Sequence, residues 1–519
     1  MNSLPADLTA AKRARSGAAI VLLAAACGCF DAAAAVVHPR VAAAAANDGS
    51  VDALLVFADQ SQPLLTPLEP GGDYRARRRA LIDALKARAQ TSQSAARGWL
   101  DAQGIAHRDF WIANVIQARV PRAALSALAA RNDVARIDPN PSIAMRLPQA
   151  ETSPSAADTL AAGAGGIAWG VAKVDAPQAW AAGITGQGIV IGGEDTGYQW
   201  DHPALKPQYR GWDGKHAHHN YNWHDAVHDA APDAVCGNNS PVPCDPNDHG
   251  THTAGTFAGD DGPAAVPRHQ VGVAPGSRWI GCRNMDKFGN GTPARYIECM
   301  QWMLEPTNLQ GGNPSPELAP DVVSNSWYCA VSEGCTTGLE IEGAVNNLVS
   351  GGIFYVAAAG NSGSACATIA GPPATYDMSF VVGATDSADA LASFSSRGPV
   401  PGSGLVRPDV SAPGVSVCSS IPTSTYSCGF SGTSMATPHV AGAAALLMSA
   451  FPQLVGQPEK IGAILRGTAT TDDVSNSAGV TQSCGGTPIT QWPNYMAGYG
   501  RVDAWSAYRD VIFIGDFDG

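Results

Sequence analysis

The pattern of apolar and polar residues in the larger, second part of the chain predicts short strands separated by longer helices. From residue 169 onward, brief runs rich in β-branched residues alternate with longer amphipathic or fully apolar stretches. The strand candidates are 188–192, 278–283, 322–326, 352–357 and 380–382, and the helical candidates include 296–303, 339–349 and 435–448. Strands that alternate with helices usually pair in parallel, with helices covering both faces. The pattern therefore predicts an α/β fold with a doubly wound, mostly parallel sheet, whose ligands bind beyond the carboxyl ends of the strands.

A smaller α+β domain is predicted upstream, over residues 47–146. Its pattern is strand, helix, strand, helix, strand, at 51–57, 74–102, 110–120, 122–131 and 133–143. Residues 147–166 are rich in Pro, Ser, Ala and Gly, and we interpret them as a linker that contains a processing region. The larger domain then covers 167–511. Residues 512–519 form a C-terminal tail, which is either a last strand or a short tag.

The first 46 residues are typical of an export signal. Lys12, Arg13 and Arg15 form a basic start, and the apolar run that follows, residues 17–30, is too short to span a bilayer. Small residues that suit a cleavage site come next. No later stretch reaches about 18 uninterrupted apolar residues, so no membrane span is predicted. We therefore expect a secreted, extracellular protein.

Charge and cysteine content narrow the class of protein further. The formal net charge is −13, which argues against nucleic acid or an anionic membrane as a partner. Ten of the 12 cysteines lie after residue 230, which is typical of disulfides formed in an oxidising compartment. Three pairs are close enough along the chain to close small loops, and we predict that they are bonded: Cys236–Cys244, Cys329–Cys335 and Cys418–Cys428.

The segment 429–442 carries the candidate chemistry. Ser434 follows two small residues and precedes an apolar run, which predicts a tight loop feeding a buried helix. A serine at a helix N-terminus lies where unpaired N–H groups and the helix dipole favour a developing negative charge. A serine hydroxyl needs a base, and the base needs a group that orients it. His249 and Asp195 lie upstream in the order Asp, His, Ser, which among serine hydrolases is the subtilisin order.

Four sequence blocks, at 195–197, 249–252, 357–363 and 432–436, resemble the signature blocks of the subtilisin-like serine proteases, the subtilases. The resemblance covers roughly residues 169–510. It implies a serine endopeptidase with Asp195, His249 and Ser434 as a catalytic triad and Asn361 as an oxyanion-hole donor. The domain at 47–146 resembles the family's propeptide, which templates folding, inhibits the enzyme and is cut off by it. We expect that cleavage between about Arg146 and Ser155.

Alternative assignments of these residues are weaker. His252 and His439 lie inside apolar helical runs, where a hydrogen-bonded core histidine is the expected role, and His202 lies in a loop before a proline. Asp195 begins an Asp-Thr-Gly motif, which aspartic proteases also use, but the sequence has no second copy to supply the partner carboxylate. A non-enzymatic, secreted peptide-binding module is the alternative function, and it would need a triad member to be lost.

The resemblance also implies a substrate-binding region and the partners of the protein. The expected partners are protein or peptide substrates and the protein's own propeptide as an intramolecular inhibitor, and we expect a monomer. Tyr328 stands where most subtilases have a small glycine, which would narrow the pocket there. The candidate substrate-binding residues are Ser326, Trp327, Tyr328, Ala358, Gly360 and Gly371.

No cofactor is required by this chemistry, and no metal-binding residue is assigned. Calcium is common in subtilases, but the aspartate that usually follows the first block is Ala204 here, and the usual calcium loop is replaced by residues 260–263. The oxygens of Asp260 and Asp261 leave room for a structural calcium ion. Five histidines at 216–228 match no standard zinc spacing, so we interpret this insertion as a surface loop.

Overall fold

A computed structural model of the chain describes residues 34–62, 72–145, 166–231, 233–329, 339–476 and 482–514. Most of the predicted export signal, nearly all of the predicted linker, the end of the tail and Cys335 lie outside these residues. Among the described helices, none is both long and apolar enough to cross a membrane.

The front domain is a five-stranded sheet with three helices. The helix α2 begins after Asp73, whose carboxylate accepts hydrogen bonds from the N–H groups of Arg75 and Ala76. The sheet order is β1-β5-β2-β4-β3, and every pair except β1 with β5 is antiparallel. Its elements are β1 (Val36–Val37), α1 (Pro39–Asp48), β2 (Ser50–Phe57), α2 (Tyr74–Ala102), β3 (His107–Phe110), β4 (Val115–Pro121), α3 (Arg122–Ala129) and β5 (Val134–Pro139).

Two details of the front domain differ from the sequence prediction. Residues 36–46, assigned above to the export signal, form β1 and most of α1, and Val41 and Ala45 are buried in the core of the front domain. The alanine-rich composition of this segment suits both a signal and a helix. The single strand predicted at 110–120 is two strands, β3 and β4, because a turn at 111–114 reverses the chain.

The body of the protein contains one large sheet. Six strands, in the order β8-β9-β7-β11-β12-β13, are all parallel, and β15 also pairs in parallel with β13. β14 pairs antiparallel with β13, and β18 pairs in parallel with β14. The strands of the body and of the segment that leads into it are β6 (Ile143–Ala144), β7 (Val190–Asp195), β8 (Trp223–Asp225), β9 (Arg278–Arg283), β10 (Asn290–Gly291), β11 (Val322–Asn325), β12 (Phe354–Ala358), β13 (Phe380–Thr385), β14 (Ala390–Leu391), β15 (Val410–Pro413), β16 (Val417–Ile421), β17 (Thr425–Phe430), β18 (Ser475–Asn476), β19 (Ser483–Cys484) and β20 (Thr487–Pro488).

Helices cover both faces of this sheet. Val322 and Val323 are consecutive on β11 yet belong to two different buried cores. The core of Val322 includes the helices at 249–258 (α6) and 433–450 (α9), and the core of Val323 includes those at 293–304 (α7) and 339–350 (α8). A strand buried on both faces reads as a continuous apolar run, as the sequence showed. The doubly wound α/β fold is confirmed. The helices of the body are α4 (Trp169–Lys173), α5 (Ala176–Ala181), α6 (His249–Ala258), α7 (Pro293–Leu304), α8 (Leu339–Ser350), α9 (Thr433–Ala450), α10 (Pro458–Gly467) and α11 (Ala504–Ile514).

Disulfides join neighbouring elements of the body. The predicted bonds Cys236–Cys244 and Cys418–Cys428 are confirmed. Cys329 is also disulfide-bonded, but Cys335 lies outside the described residues. The sequence did not predict two further bonds, Cys282–Cys299 and Cys366–Cys484, because the paired residues are brought together only by folding.

The C-terminal end of the body is helical. α11 runs to Ile514, so the predicted boundary at residue 511 falls inside a helix, and residues 512–514 are not a last strand.

Candidate active site

Asp195 and His249 form a buried hydrogen-bonded pair at the carboxyl edge of the large sheet. Asp195 is the last residue of β7, and its Oδ1 lies 2.7 Å from Nδ1 of His249, with both side chains almost fully buried. Oδ1 also accepts the N–H of Thr196 at 2.7 Å, and Oδ2 accepts the hydroxyl of Thr253 at 3.3 Å. A carboxylate facing Nδ1 favours the tautomer that carries its proton there, which leaves Nε2 of His249 as the basic nitrogen.

The start of α6 positions His249. Asp248, immediately before the helix, has a left-handed backbone with φ of 84°, and His249 is the first helical residue. Gly250 packs so closely that a Cβ atom there would lie 2.0 Å from the carbonyl oxygen of Gly197, so only glycine fits. The N–H of Gly250 donates to Oγ1 of Thr196 at 3.0 Å, which ties α6 to the end of β7.

Ser434 is held by a reciprocal pair of hydrogen bonds with Ser326. Pro438 lies inside α9 and has no N–H, so the carbonyl of Ser434, four residues earlier, lacks its usual helical donor. The hydroxyl of Ser326 donates to this carbonyl at 2.8 Å. In return the hydroxyl of Ser434 donates to the carbonyl of Ser326 at 2.9 Å. The residue after β11 therefore fixes the backbone of the candidate nucleophile.

The third link of the predicted triad is not made in this conformation. Within the described residues, Nε2 of His249 has no hydrogen-bond partner, because the hydroxyl of Ser434 is directed to Ser326 instead. A rotation about the Cα–Cβ bond of Ser434 redirects its hydroxyl without moving the backbone. Catalytic hydrogen bonds are often long or unformed without substrate and tighten in the complex.

Asn361 lies beside the N-terminus of α9, just past the end of β12. Its Oδ1 accepts the N–H of Thr433 at 2.9 Å and the hydroxyl of Thr433 at 3.0 Å. Since the oxygen end of the amide is fixed by two donors, the other end is the NH₂ donor. Gly360, with φ of 100°, donates its N–H to Oγ1 of Thr433 at 3.2 Å. The structure thus places an amide donor next to the helix end that carries Ser434.

The rival histidines all have structural partners. His252 pairs with the carbonyl of Val417 at 3.0 Å, and His439 pairs with the carbonyl of Met435 at 2.8 Å. Burial lowers the pKa of His252 to about 3 and the pKa of His439 to about 4, so both imidazoles are neutral at ordinary pH. His202 pairs with the carbonyl of Thr425 at 2.9 Å.

Glu194 precedes Asp195 but faces the other side of the sheet. It pairs across the strands with Cys282 and Asn325, and it is completely buried. Neither carboxyl oxygen has a hydrogen-bond partner among the described residues, and burial raises the pKa of Glu194 well above its usual range. We expect a neutral carboxylic acid here, so Glu194 carries no charge that could compete with Asp195.

Four of the six candidate substrate-binding residues are buried, and Tyr328 and Gly371 are partly exposed. Trp327 is buried and stacks on Tyr296, with ring centroids 3.8 Å apart and planes 4° apart. Tyr328 follows it and is partly exposed. Ala358 ends β12 and is buried. Gly371 lies partly exposed in a loop that contacts the segment after β11, through a 2.7 Å hydrogen bond from the N–H of Cys329 to the carbonyl of Pro372.

The end of the front domain forms a short strand with the loop that precedes α7. β6 pairs antiparallel with β10, and the N–H of Met145 donates to the carbonyl of Gly289 at 2.9 Å. The loop that contains Gly289 also contacts the segment just before His249, since Nδ2 of Asn247 donates to the carbonyl of Lys287 at 2.9 Å. The chain therefore leaves the front domain as a short extended strand, against a loop that contacts Asn247, two residues before His249.

The histidines of the insertion at 216–228 include an exposed pair and a pair that contacts Glu298. His216 and His218 are exposed, whereas His224 and His228 lie 2.8 and 2.9 Å from Oε1 of Glu298. Burial opposes ionisation of Glu298, but the hydrogen bonds with both histidines outweigh it and hold the pKa of Glu298 far below its usual range. In the part of the chain that the structure describes, no cluster of three or more His, Cys, Asp or Glu could hold a metal ion.

Sequence reasoning missed the residues that orient the pair. Thr253 lies four residues after His249 on α6, so helical spacing could have placed both on one face. Asp245 accepts the hydroxyl of Thr196 at 2.9 Å and that of Thr251 at 2.6 Å, and no local pattern predicts these contacts across the site.

Comparison with known proteins agrees with this geometry. Residues 186–486 match the Subtilase family. The chain is 34% identical to bacillopeptidase F of Bacillus subtilis (strain 168) over 449 residues, which cover 84% of this chain but only 29% of that protein. It is 34% identical to subtilisin Savinase of Lederbergia lenta over 295 residues, covering 55% of this chain and 86% of that protein. It is 33% identical to subtilisin E of Bacillus subtilis (strain 168) over 293 residues, 55% of this chain and 62% of that protein.

Proposed function

This chain belongs to the subtilase family of serine peptidases, and from that premise we propose that it is a secreted serine endopeptidase made as a self-processing precursor. The observation that carries the proposal is the buried 2.7 Å contact between Asp195 and His249, at the same sheet edge as Ser434. The disulfides, the basic residues at 12–15 and the short apolar run at 17–30 support export.

The proposed reaction begins when substrate binding turns the hydroxyl of Ser434 from Ser326 to Nε2 of His249. His249 takes the hydroxyl proton as the oxygen attacks a peptide carbonyl, and Asp195 stabilises the imidazolium that forms. The amide of Asn361 and the N–H of Ser434 receive the developing oxyanion. His249 then gives its proton to the leaving amine. Water next attacks the acyl-enzyme as His249 takes its proton, and His249 returns that proton to the oxygen of Ser434 as the acid product leaves.

The position of β6 supports cleavage inside a chain rather than at its end. We take residues 143–145, which pair antiparallel with residues 289–291, to occupy the substrate groove, since an added strand is a common way for proteins to hold extended peptides. This segment is internal, because the front domain precedes it and the body follows it. A site that receives an internal segment suits an endopeptidase, and we propose self-cleavage between about Arg146 and Ser155.

The contacts of the front domain support its role as an intramolecular inhibitor. Oε1 of Gln301 on α7 accepts the N–H groups of Trp111 and Ile112, at 2.8 and 3.2 Å. Nδ2 of Asn347 on α8 donates to the carbonyl of Ile112 at 2.6 Å. With β6 in the groove, the docked front domain would exclude other substrates.

The test compares two serines of α9 in the full-length chain. Ser434→Ala should abolish casein hydrolysis, labelling by a serine-directed fluorophosphonate and loss of the front domain. Ser449→Ala is the matched control, because this hydroxyl lies at the far end of α9 and donates to the carbonyl of Gln187. If the Ser434→Ala chain still processes itself without added protease, or if the processed wild type fails to label, the peptidase assignment is wrong and a peptide-binding module is favoured.

A further inference from the structure

The loop at residues 260–270, which follows α6, is where the resemblance to subtilases leads one to look for calcium. The chain leaves α6 at Gly259, and the N–H of Asp260 donates to the carbonyl of Ala204 at 2.9 Å. Asp260 also forms an isolated antiparallel bridge with Gln270, which closes the base of the loop. Its two carboxylates, Asp260 and Asp261, are the only acidic side chains within it.

The carboxylate of Asp260 is engaged by an arginine from the same loop. Nε of Arg268 donates to Oδ1 at 2.9 Å, and Nη2 donates to Oδ2, so the contact is bidentate. Oδ1 also accepts the N–H of Gly262 at 2.9 Å. The carboxylate is about nine-tenths buried, with 10% of the side chain exposed. A planar guanidinium matches a carboxylate in this fork-to-fork geometry better than a point charge does.

The carboxylate of Asp261 is engaged by three further donors. Its Oδ2 lies 2.7 Å from Nδ1 of His269 and accepts the hydroxyl of Tyr426 at 2.9 Å. Its Oδ1 accepts the backbone N–H of His269 at 2.8 Å. The rings of His269 and Tyr426 stack with centroids 4.0 Å apart. Only 6% of the Asp261 side chain is exposed.

These oxygens do not fit calcium. A protein-bound calcium ion takes six to eight oxygen ligands, and it would have to displace the donors that now occupy both carboxylates. Ala204, whose position usually carries an aspartate in subtilases, supplies no carboxylate. We propose that Arg268 and His269 take the place of a calcium ion, so that this loop is held by the protein's own donors and needs no metal.

The contacts of Asp260 and Asp261 with Arg268, His269 and Tyr426, here called the clamp, also join the segment that carries His249 to the segment that carries Ser434. Asp261 follows α6, the helix that begins with His249. Tyr426 lies on β17, which ends at Phe430, four residues before Ser434. Tyr426 also meets His202 edge to face, with centroids 5.1 Å apart. Loss of the clamp would therefore loosen the packing between the base and the nucleophile segments.

The experiment follows thermal unfolding of the full-length Ser434→Ala chain by tryptophan fluorescence, so it does not depend on peptidase activity. The midpoint is compared in excess EDTA and in millimolar calcium. We expect it to move by less than about 2 °C, because a ligand that does not bind cannot stabilise the fold. Arg268→Ala should lower the midpoint by several degrees, and Arg268→Lys should lower it less. Lys215→Ala, which removes a cation from an exposed loop, should leave it unchanged.

Two variants locate any calcium dependence. If EDTA lowers the midpoint of the Ser434→Ala parent and either Asp260→Asn or Asp261→Asn in that parent abolishes the effect, calcium binds in this loop and the proposal is wrong. If EDTA lowers the midpoint equally in the parent and in both variants, calcium binds elsewhere and the proposal for the loop holds. Arg268→Lys keeps the test informative should Arg268→Ala fail to fold.

Discussion

The two hydrogen bonds between Ser326 and Ser434 predict that the loss of stability caused by Ser326→Ala depends on whether residue 438 is proline. Ser326→Ala removes the only hydroxyl that satisfies the Ser434 carbonyl, and both residues are buried. A buried carbonyl left without a partner costs about 1–3 kcal/mol, which corresponds to about a 5- to 150-fold shorter half-life of activity at an inactivating temperature. Pro438→Ala restores a helical N–H for the same carbonyl. In the Pro438→Ala background, Ser326→Ala should therefore shorten the half-life by less than about threefold.

The assay is the half-life of peptidase activity of the processed enzyme at one elevated temperature, measured for wild type, both single variants and the double variant. Half-life is the suitable quantity because proteases usually unfold irreversibly. Ser324→Ala is the matched control on β11, since this hydroxyl is buried and has no partner among the described residues. Equal effects of Ser326→Ala in the two backgrounds, or a comparable loss in Ser324→Ala, would refute the role assigned to Ser326.

Three further predictions follow from the same structure. Asp195→Asn should slow self-processing of the full-length chain by about 10³- to 10⁴-fold, because the amide no longer stabilises the imidazolium. Glu194→Gln should process at the wild-type rate, since burial raises the pKa of Glu194 and favours its neutral form, and gel electrophoresis over time distinguishes the two. His439 has a folded-state pKa of about 4, below its unfolded value of about 6.5, so the unfolded chain binds more protons in acid. The free energy of unfolding should therefore fall as the pH drops from about 6.5 to 4, by about 2 kcal/mol at pH 5. The thermal midpoint of His439→Gln should therefore depend less on pH, and an unchanged slope would contradict this. Replacing Cys366 and Cys484 by alanine opens a loop of 118 residues and should cost about 4–5 kcal/mol in the chain-entropy estimate, measurable as a lower thermal midpoint.

Much of the fold was predictable because its elements are encoded locally. The helix α2 was predicted at its observed bounds, because a regular apolar spacing and an aspartate cap mark its length and start. β9 was also predicted at its observed bounds, because a short run typical of a buried strand, residues 279–282, stands between two arginines. The start of the front domain was less predictable, since an alanine-rich segment suits either a leader peptide or an amphipathic helix.

The candidate site was predictable as a set of residues but not as an arrangement. Asp195, His249, Ser434 and Asn361 stand out because each lies in a distinctive block, and the structure brings them to one edge of the sheet. The bond from Ser434 to Ser326, and the resulting gap at Nε2 of His249, could not be inferred, because both depend on the side-chain rotamer of Ser434.

The sequence by itself determined the alternation of strands and helices, the family and the set of candidate reactive side chains, since these depend on local pattern and residue chemistry. Only the tertiary structure decided which polar groups form hydrogen bonds with each other. It paired Ser326 with the carbonyl that Pro438 leaves unmatched, and Arg268 with Asp260. The first contact joins residues 108 positions apart and the second depends on how one loop closes, and buried polar groups accept whichever partner the packing brings within reach.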